Sequence, residues 1–127
     1  MSTRAISVAI LDDDQAVRNA LGRLLRAVDM LVASYATAAE LFASLAEVIP
    51  DCLLLDLQMP ETNGLDVLRQ LKARCILVPT IIITAHDQES SRQTCLEAGA
   101  VGYLRKPLNT DQLIRMIVEI SGLARRQ

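Results

Sequence analysis

Short unbroken apolar runs that stop at a polar residue recur along this chain, and each is followed by a stretch with apolar residues at helical spacing. Val8-Ala9-Ile10-Leu11 stops at Asp12, and Cys52-Leu53-Leu54-Leu55 stops at Asp56. Thr80-Ile81-Ile82-Ile83 stops at Thr84, and Leu31–Tyr35 and Gly102–Arg105 are weaker runs of the same length class. A continuous apolar run, unlike an alternating one, predicts a strand covered on both faces, as in a parallel sheet. Between the runs lie helical stripes. Val17, Leu21, Leu24, Leu25 and Val28 form the first, and Leu41, Phe42 and Leu45 follow a capping box of Thr37 and Glu40. Leu65, Leu68 and Leu71 mark a third helix. Asp87–Ala98 is a fourth, with Gly99 as its stop. Leu113, Ile114, Ile117 and Ile120 mark a fifth. Five β-α units in succession predict a doubly wound α/β domain: a five-stranded parallel sheet with right-handed crossovers and helices on both faces.

With 127 residues the chain fits one domain. Residues 1–122 are expected to form it, and 123–127 a tail or the start of a linker to an output domain absent from this chain. A net charge of −2 provides no basic footprint, so no nucleic-acid binding by this chain is expected. The longest apolar stretch, broken by Pro79 and Thr80, is too short to span a membrane, and the first seven residues lack the apolar core of a signal peptide. Cys52, Cys75 and Cys95 are widely spaced and are expected to be buried or half-buried free thiols in a reducing, cytoplasmic setting.

The polar residues that end the strands have a common destination. In an open α/β sheet, ligands bind at the carboxyl edge of the strands, so Asp12, Asp13, Asp56, Thr84 and Lys106 should converge on one crevice. Like charges about 4 Å apart repel by on the order of 4 kcal/mol at an effective dielectric near 20. Lys106 offsets part of that repulsion, and a hard divalent cation would offset more. Magnesium suits a few carboxylates supplemented by water and phosphate oxygens, and the backbone carbonyl of Gln58 is placed to add one more oxygen. Asp56 is then the expected nucleophile toward a phosphoryl group, with Lys106 and the Thr84 hydroxyl stabilising its oxygens. Taken singly, each residue has a plainer explanation. Asp14 is the expected N-cap of the first helix, Asp12 and Asp13 also suit loop or cap positions, and Lys106 a solvated surface.

Leu11-Asp12-Asp13-Asp14, Leu55-Asp56-Leu57-Gln58-Met59-Pro60 with Gly64, Ile83-Thr84-Ala85 and Lys106-Pro107 together resemble the receiver domains of two-component response regulators, over about Ser7 to Ser121. The Arg74–Pro79 segment and the Met-Pro loop look most like the nitrogen-fixation (FixJ-like) regulator subfamily. The resemblance implies a flavodoxin-like strand order of 2-1-3-4-5, a magnesium pocket with Asp13 direct and Asp12 through water, and a cis Lys106–Pro107 bond. It implies that Asp56 accepts phosphate from a sensor histidine kinase and that Tyr103 pairs with Thr84 as a switch. The fourth helix, fifth strand and fifth helix would form the readout face, with a homodimer as one use of it, and the usual output is transcription through a separate DNA-binding domain. A receiver is not an enzyme in the ordinary sense, since it catalyses only its own phosphorylation and slow dephosphorylation. A stand-alone receiver acting by protein–protein contact is the alternative. His86 occupies a position that tunes dephosphorylation in the family, but it also suits an exposed loop. A small aspartate-nucleophile phosphatase is disfavoured because Asp56-Leu57-Gln58 lacks the second Asp and Asp12-Asp13-Asp14-Gln15-Ala16 ends in Ala. A flavin carrier is disfavoured by an aromatic content of 2%.

Overall fold

The computed structural model describes residues 4–85 and 88–125. Its elements alternate as β1 (Ser7–Leu11), α1 (Gln15–Arg26), β2 (Leu31–Tyr35), α2 (Ala38–Leu45), β3 (Cys52–Asp56), α3 (Gly64–Ala73), β4 (Thr80–Thr84), α4 (Glu89–Glu97), β5 (Gly102–Arg105) and α5 (Thr110–Arg125). All strand pairs are parallel, in the order β2-β1-β3-β4-β5. The strand order implied by the resemblance is therefore the observed one.

The sheet separates two apolar cores, and the two-residue period of each strand decides which core a side chain enters. Val8, Ile10, Leu54, Ile81, Ile83 and Leu104 point to one face, where Leu21 and Leu25 of α1 and Leu113 and Ile117 of α5 cover them. Ala9, Leu11, Leu53, Leu55, Ile82 and Tyr103 point to the other, under Leu41 and Phe42 of α2, Val67, Leu68 and Leu71 of α3, and Cys95 of α4. The central strands β3 and β4 are buried at every residue, as their unbroken apolar runs predict.

Helix starts follow from local chemistry. Asp14 caps α1 by accepting from the Ala16 N–H at 2.9 Å. Thr37 accepts from the Glu40 N–H, but the Glu40 carboxylate bonds the Thr37 hydroxyl rather than closing the capping box on its backbone. Asn63 caps α3 through the Asp66 N–H at 2.9 Å. Gly99 follows α4 with φ +115, a conformation that only glycine adopts without strain.

Several expectations are corrected. Helix α4 begins at Glu89, with Gln88 at its N-cap and no side-chain cap bond; Asp87 and His86 lie outside the described residues. Within that helix Cys95 alone is buried, and Leu96 is 40% exposed. Val28 lies beyond the end of α1 and is exposed. Cys75 is also exposed, since it sits in the turn after α3 with φ 56, past the last buried position of that helix. Cys52 and Cys95 are buried free thiols, and burial, with Asp51 adding to it, pushes Cys52 up to about 12.

Candidate functional site: an acidic crevice at the carboxyl edge of the sheet

The register of the sheet puts the acidic residues side by side. Leu11 is opposite Leu55, so Asp12 and Asp56, each one step further, leave neighbouring strands at the same level. One oxygen from each of Asp12, Asp13 and Asp56 lies within 4.8 Å of the others, with Asp12 and Asp56 buried and Asp13 exposed. Lys106 reaches in from the end of β5. Its Nζ is 3.3 Å from Asp12 Oδ2 and 3.8 Å from Asp56 Oδ1. The Lys106 N–H donates to the Thr84 carbonyl at 2.8 Å, which ties the lysine backbone to the end of β4. Thr84 itself is fully buried. The Lys106–Pro107 peptide is cis, as the resemblance implies.

One lysine does not balance three carboxylates. Burial first, and then the Asp12 charge, push Asp56 up to about 6; Lys106 and the Gln58 N–H, 3.3 Å from Oδ1, pull the other way, and Asp13 adds a smaller upward push. A carboxylate surrounded in this way favours any added positive charge. The donor set is all hard oxygen, which fits a magnesium ion. Gln58 follows closely enough for its backbone to lie against Asp56, where its carbonyl was expected to contribute.

Asp12 is the most constrained member. Its Oδ1 accepts from the Asp14 N–H at 2.9 Å, its N–H donates to the Tyr35 carbonyl at 3.2 Å, and its carbonyl accepts from Arg18 Nη1 at 2.7 Å. Arg18, one turn into α1, was missed in the sequence, where a basic residue on a polar helix face carries no signal. The approach of α3 is equally tight. A Cβ on Gly64 would lie 2.8 Å from the Asp56 carbonyl oxygen, and the Gly64 N–H donates to the Leu57 carbonyl at 2.8 Å. Beside Asp13 a cleft of about 440 Å³ opens between Ala36–Ala39 and Met59–Thr62.

Tyr103 is buried in the core shared with α3 and α4, and the Arg92 guanidinium of α4 stands 6.0 Å over its ring. All the site residues predicted from sequence within the described residues thus lie at one edge of the sheet, and Tyr103 lies behind them.

Comparison with known proteins matches this architecture. The model of the response regulator receiver domain matches residues 8–118. Response regulator protein TodT of Pseudomonas putida is 37% identical over 127 residues, covering all of this chain and 56% of that protein. The DNA-binding transcriptional regulator NtrC of Escherichia coli is 34% identical over 110 residues, 87% of this chain and 24% of that protein. The chain therefore spans about half the length of TodT or less of such relatives. Among solved structures, a response regulator receiver protein from Burkholderia phymatum is 42% identical with a TM-score of 0.81, covering 92% of this chain and 95% of that one. FixJ-N is 30% identical with a TM-score of 0.83, covering 94% of each. On fold, motif and relatives together, the chain belongs to the response regulator receiver domain family.

Proposed function

We propose that the chain accepts a phosphoryl group on Asp56 from a phosphohistidine on a sensor kinase, in a magnesium-dependent reaction. The observation that carries this reading is the shortage of positive charge around a buried nucleophile: three carboxylates meet and one lysine serves two of them. In the transfer, an Asp56 oxygen forms a bond to phosphorus while the phosphorus–nitrogen bond of the donor breaks, which leaves an acyl phosphate on Asp56 and a neutral imidazole once it takes up a proton. Asp13, Asp56 and the Gln58 carbonyl would hold the magnesium ion, with Asp12 acting through water. Bound there, the ion would supply charge neutralisation at the phosphoryl oxygens. Lys106 leaves its shared position to pair with the phosphoryl group, and the Thr84 hydroxyl donates to another of its oxygens. Arg18 holds the Asp12 carbonyl, which fixes the acidic loop while the charges rearrange.

Release of Lys106 and Thr84 toward the phosphate is the proposed start of signalling. Helix α4 has one buried side chain, Cys95, so its docking is weak and its position easily shifted. Tyr103, beneath Arg92, would follow Thr84, and the α4–β5–α5 surface would change for a partner or for a homodimer. The output would be control of transcription by a separate domain of the full protein, as the name of NtrC suggests by likeness. The chain would act in the cytoplasm and turn over no small substrate beyond its own acyl phosphate.

The test is incubation with acetyl phosphate and magnesium, followed by intact mass. One added phosphoryl group is expected in the wild type, and none in Asp56→Asn or with the metal chelated. A phosphoryl group that persists in Asp56→Asn would overturn the site, and catalytic release of phosphate over many turnovers would instead favour a phosphatase. For the switch, amide shifts at Thr84, Tyr103 and α4 are expected on adding a phosphate analogue with magnesium, and their absence would overturn it.

A further inference from the structure

Asp12 and Asp13 follow one another at the end of β1, yet they are held in opposite ways. Asp12 is buried and bonded through its N–H, its carbonyl and both carboxylate oxygens. Asp13 is exposed, and among the described residues no hydrogen bond or ion pair holds its carboxylate. Asp13 is nevertheless a carboxylate that the proposed reaction needs on the metal. A side chain without bonds of its own is placed by its backbone, here the Asp12–Asp13 peptide. A peptide unit is planar, so fixing its carbonyl oxygen fixes the direction in which the next Cα leaves.

That carbonyl is the one Arg18 reaches. Strand β1 ends at Leu11, the last residue in register with both β2 and β3, and the Asp12 carbonyl lies beyond it. Arg18 Nη1 donates to this carbonyl at 2.7 Å, shorter than the bonds at the Asp12 N–H and carboxylate. A hydrogen bond from a charged donor at that distance is of the stronger kind. The arm itself is anchored. The Arg18 N–H donates to the Asp14 carbonyl at 3.0 Å, which closes the first turn of α1, and the Asp14 N–H donates to Asp12 Oδ1 at 2.9 Å. Asp12, Asp14 and Arg18 thus form a closed circuit that holds the chain on both sides of Asp13. Oδ1 of Asp12 is committed to the circuit, which leaves Oδ2 for Lys106 at 3.3 Å.

Charge alone does not explain a guanidinium in this place. A bare positive charge beside the crevice repels an incoming divalent cation. As a charge Arg18 would therefore weaken metal binding, and as a clamp it would strengthen it. Groups that orient metal ligands are commonly worth 10–100-fold in affinity, so the clamp is expected to win.

We propose that Arg18 is a positioning residue for the acidic crevice: by clamping the Asp12–Asp13 peptide it places the Asp13 carboxylate for magnesium, while touching neither the ion nor the phosphoryl group. The inference rests on the magnesium-dependent reading of the crevice and extends control of the metal into α1.

The test is calorimetric titration of magnesium into the wild type, Arg18→Met and Arg18→Lys, with circular dichroism to confirm folding. Arg18→Met removes the donors and the charge, and its magnesium dissociation constant should rise about tenfold, although loss of the charge alone would lower it. Arg18→Lys keeps the charge and a donor but not the planar fork, and should fall between, roughly threefold weaker than the wild type. With acetyl phosphate, the magnesium concentration for half-maximal phosphorylation should rise by the same factors, and saturating magnesium should recover the rate. An Arg18 that only braced the fold would lower the urea midpoint and leave magnesium affinity unmoved. A folded Arg18→Met that binds magnesium as tightly as the wild type, or more tightly, would overturn the proposal. So would a rate deficit that saturating magnesium does not recover. Should Arg18→Met fail to fold, Arg18→Lys at wild-type affinity would overturn it alone. A wild type that binds no magnesium would instead overturn the reading of the crevice, and this role with it.

Discussion

Strand β3 carries a buried aspartate at each end of its environment, and the two are treated in opposite ways. Asp51, at the entry, accepts from both Arg4 guanidinium nitrogens, at 2.8 and 3.1 Å, and from the Ser7 N–H and hydroxyl at 2.9 and 3.2 Å. Burial alone would raise it, but the Ser7 N–H, followed by the Arg4 bonds and charge, holds it below the usual carboxylate range. Asp56, at the exit, faces Asp12 and Asp13 and shares one lysine, and stands near 6. The same residue type, a few positions apart, is a fastener where its donors are complete and a carboxyl short of positive charge where they are not. Satisfaction of charge, not burial, separates the entry end of β3 from the end proposed as the site.

The largest effect that would break this contrast is at Asp51. Asp51→Ala leaves the Ser7 N–H without its acceptor and should destabilise by about 2–3 kcal/mol, read as a shift in the urea midpoint. A loss no larger than that of a surface substitution would show that the fastener is idle.

Asp56→Asn should do the reverse and stabilise the chain above neutral pH. The signs follow from the two displacements. A raised carboxyl in the folded chain imposes no penalty below about 3.8, and its full penalty above about 6. The complete displacement corresponds to about 3 kcal/mol. Solvent screening in the open crevice and the loss of a Lys106 partner reduce the expected gain to about 1–2 kcal/mol. That gain should fade as pH falls from about 6 toward 4, in denaturation curves taken across that range. The Asp51 contribution runs the other way, present above its unfolded value and lost as acid protonates the pair. A gain in Asp56→Asn that is unchanged at pH 4 would break the comparison.

Magnesium should sharpen it. At ten times its dissociation constant an ion that binds only the folded chain stabilises by about 1.4 kcal/mol. Thermal melts should show that increment in the wild type and in Asp51→Ala alike, and a smaller one in Asp56→Asn. The smallest effect is expected for Arg4→Ala, about 0.5–1 kcal/mol, because Arg4 is largely exposed and the Ser7 donors remain. A larger loss would move the centre of the fastener from Ser7 to Arg4.

Much of this was legible in the sequence because it depends on local pattern. Unbroken apolar runs such as Cys52–Leu55 and Ile81–Ile83 show burial on both faces, and the polar residue ending each run is carried to the sheet edge by topology alone. Thr37 and Asp14 announce helix starts through their own side-chain chemistry. What was not legible depends on distance across the fold. Asp51 looks like any loop carboxylate until β1 brings Arg4 and Ser7 beside it. Arg18 and Arg26 are ordinary helix-surface cations until one reaches the Asp12 carbonyl and the other the Val32 carbonyl. The exposure of Cys75 depends on a left-handed residue after α3, which composition does not reveal.

The loop after β3 has a consequence for anyone who would rebuild this domain. Leu57 is pinned to β4 by its N–H on the Ile83 carbonyl at 3.0 Å, and its own carbonyl receives the Gly64 N–H, so the chain leaves and re-enters the scaffold through a single residue. The segment between closes on itself like a handle, with Met59 packed on the core beneath it. Pro60 and Glu61 at its outer bend are exposed. Residues there can be exchanged, lengthened or grafted with a recognition sequence while Asp56 keeps its place, whereas a side chain added at Gly64 would lift the handle off its mount.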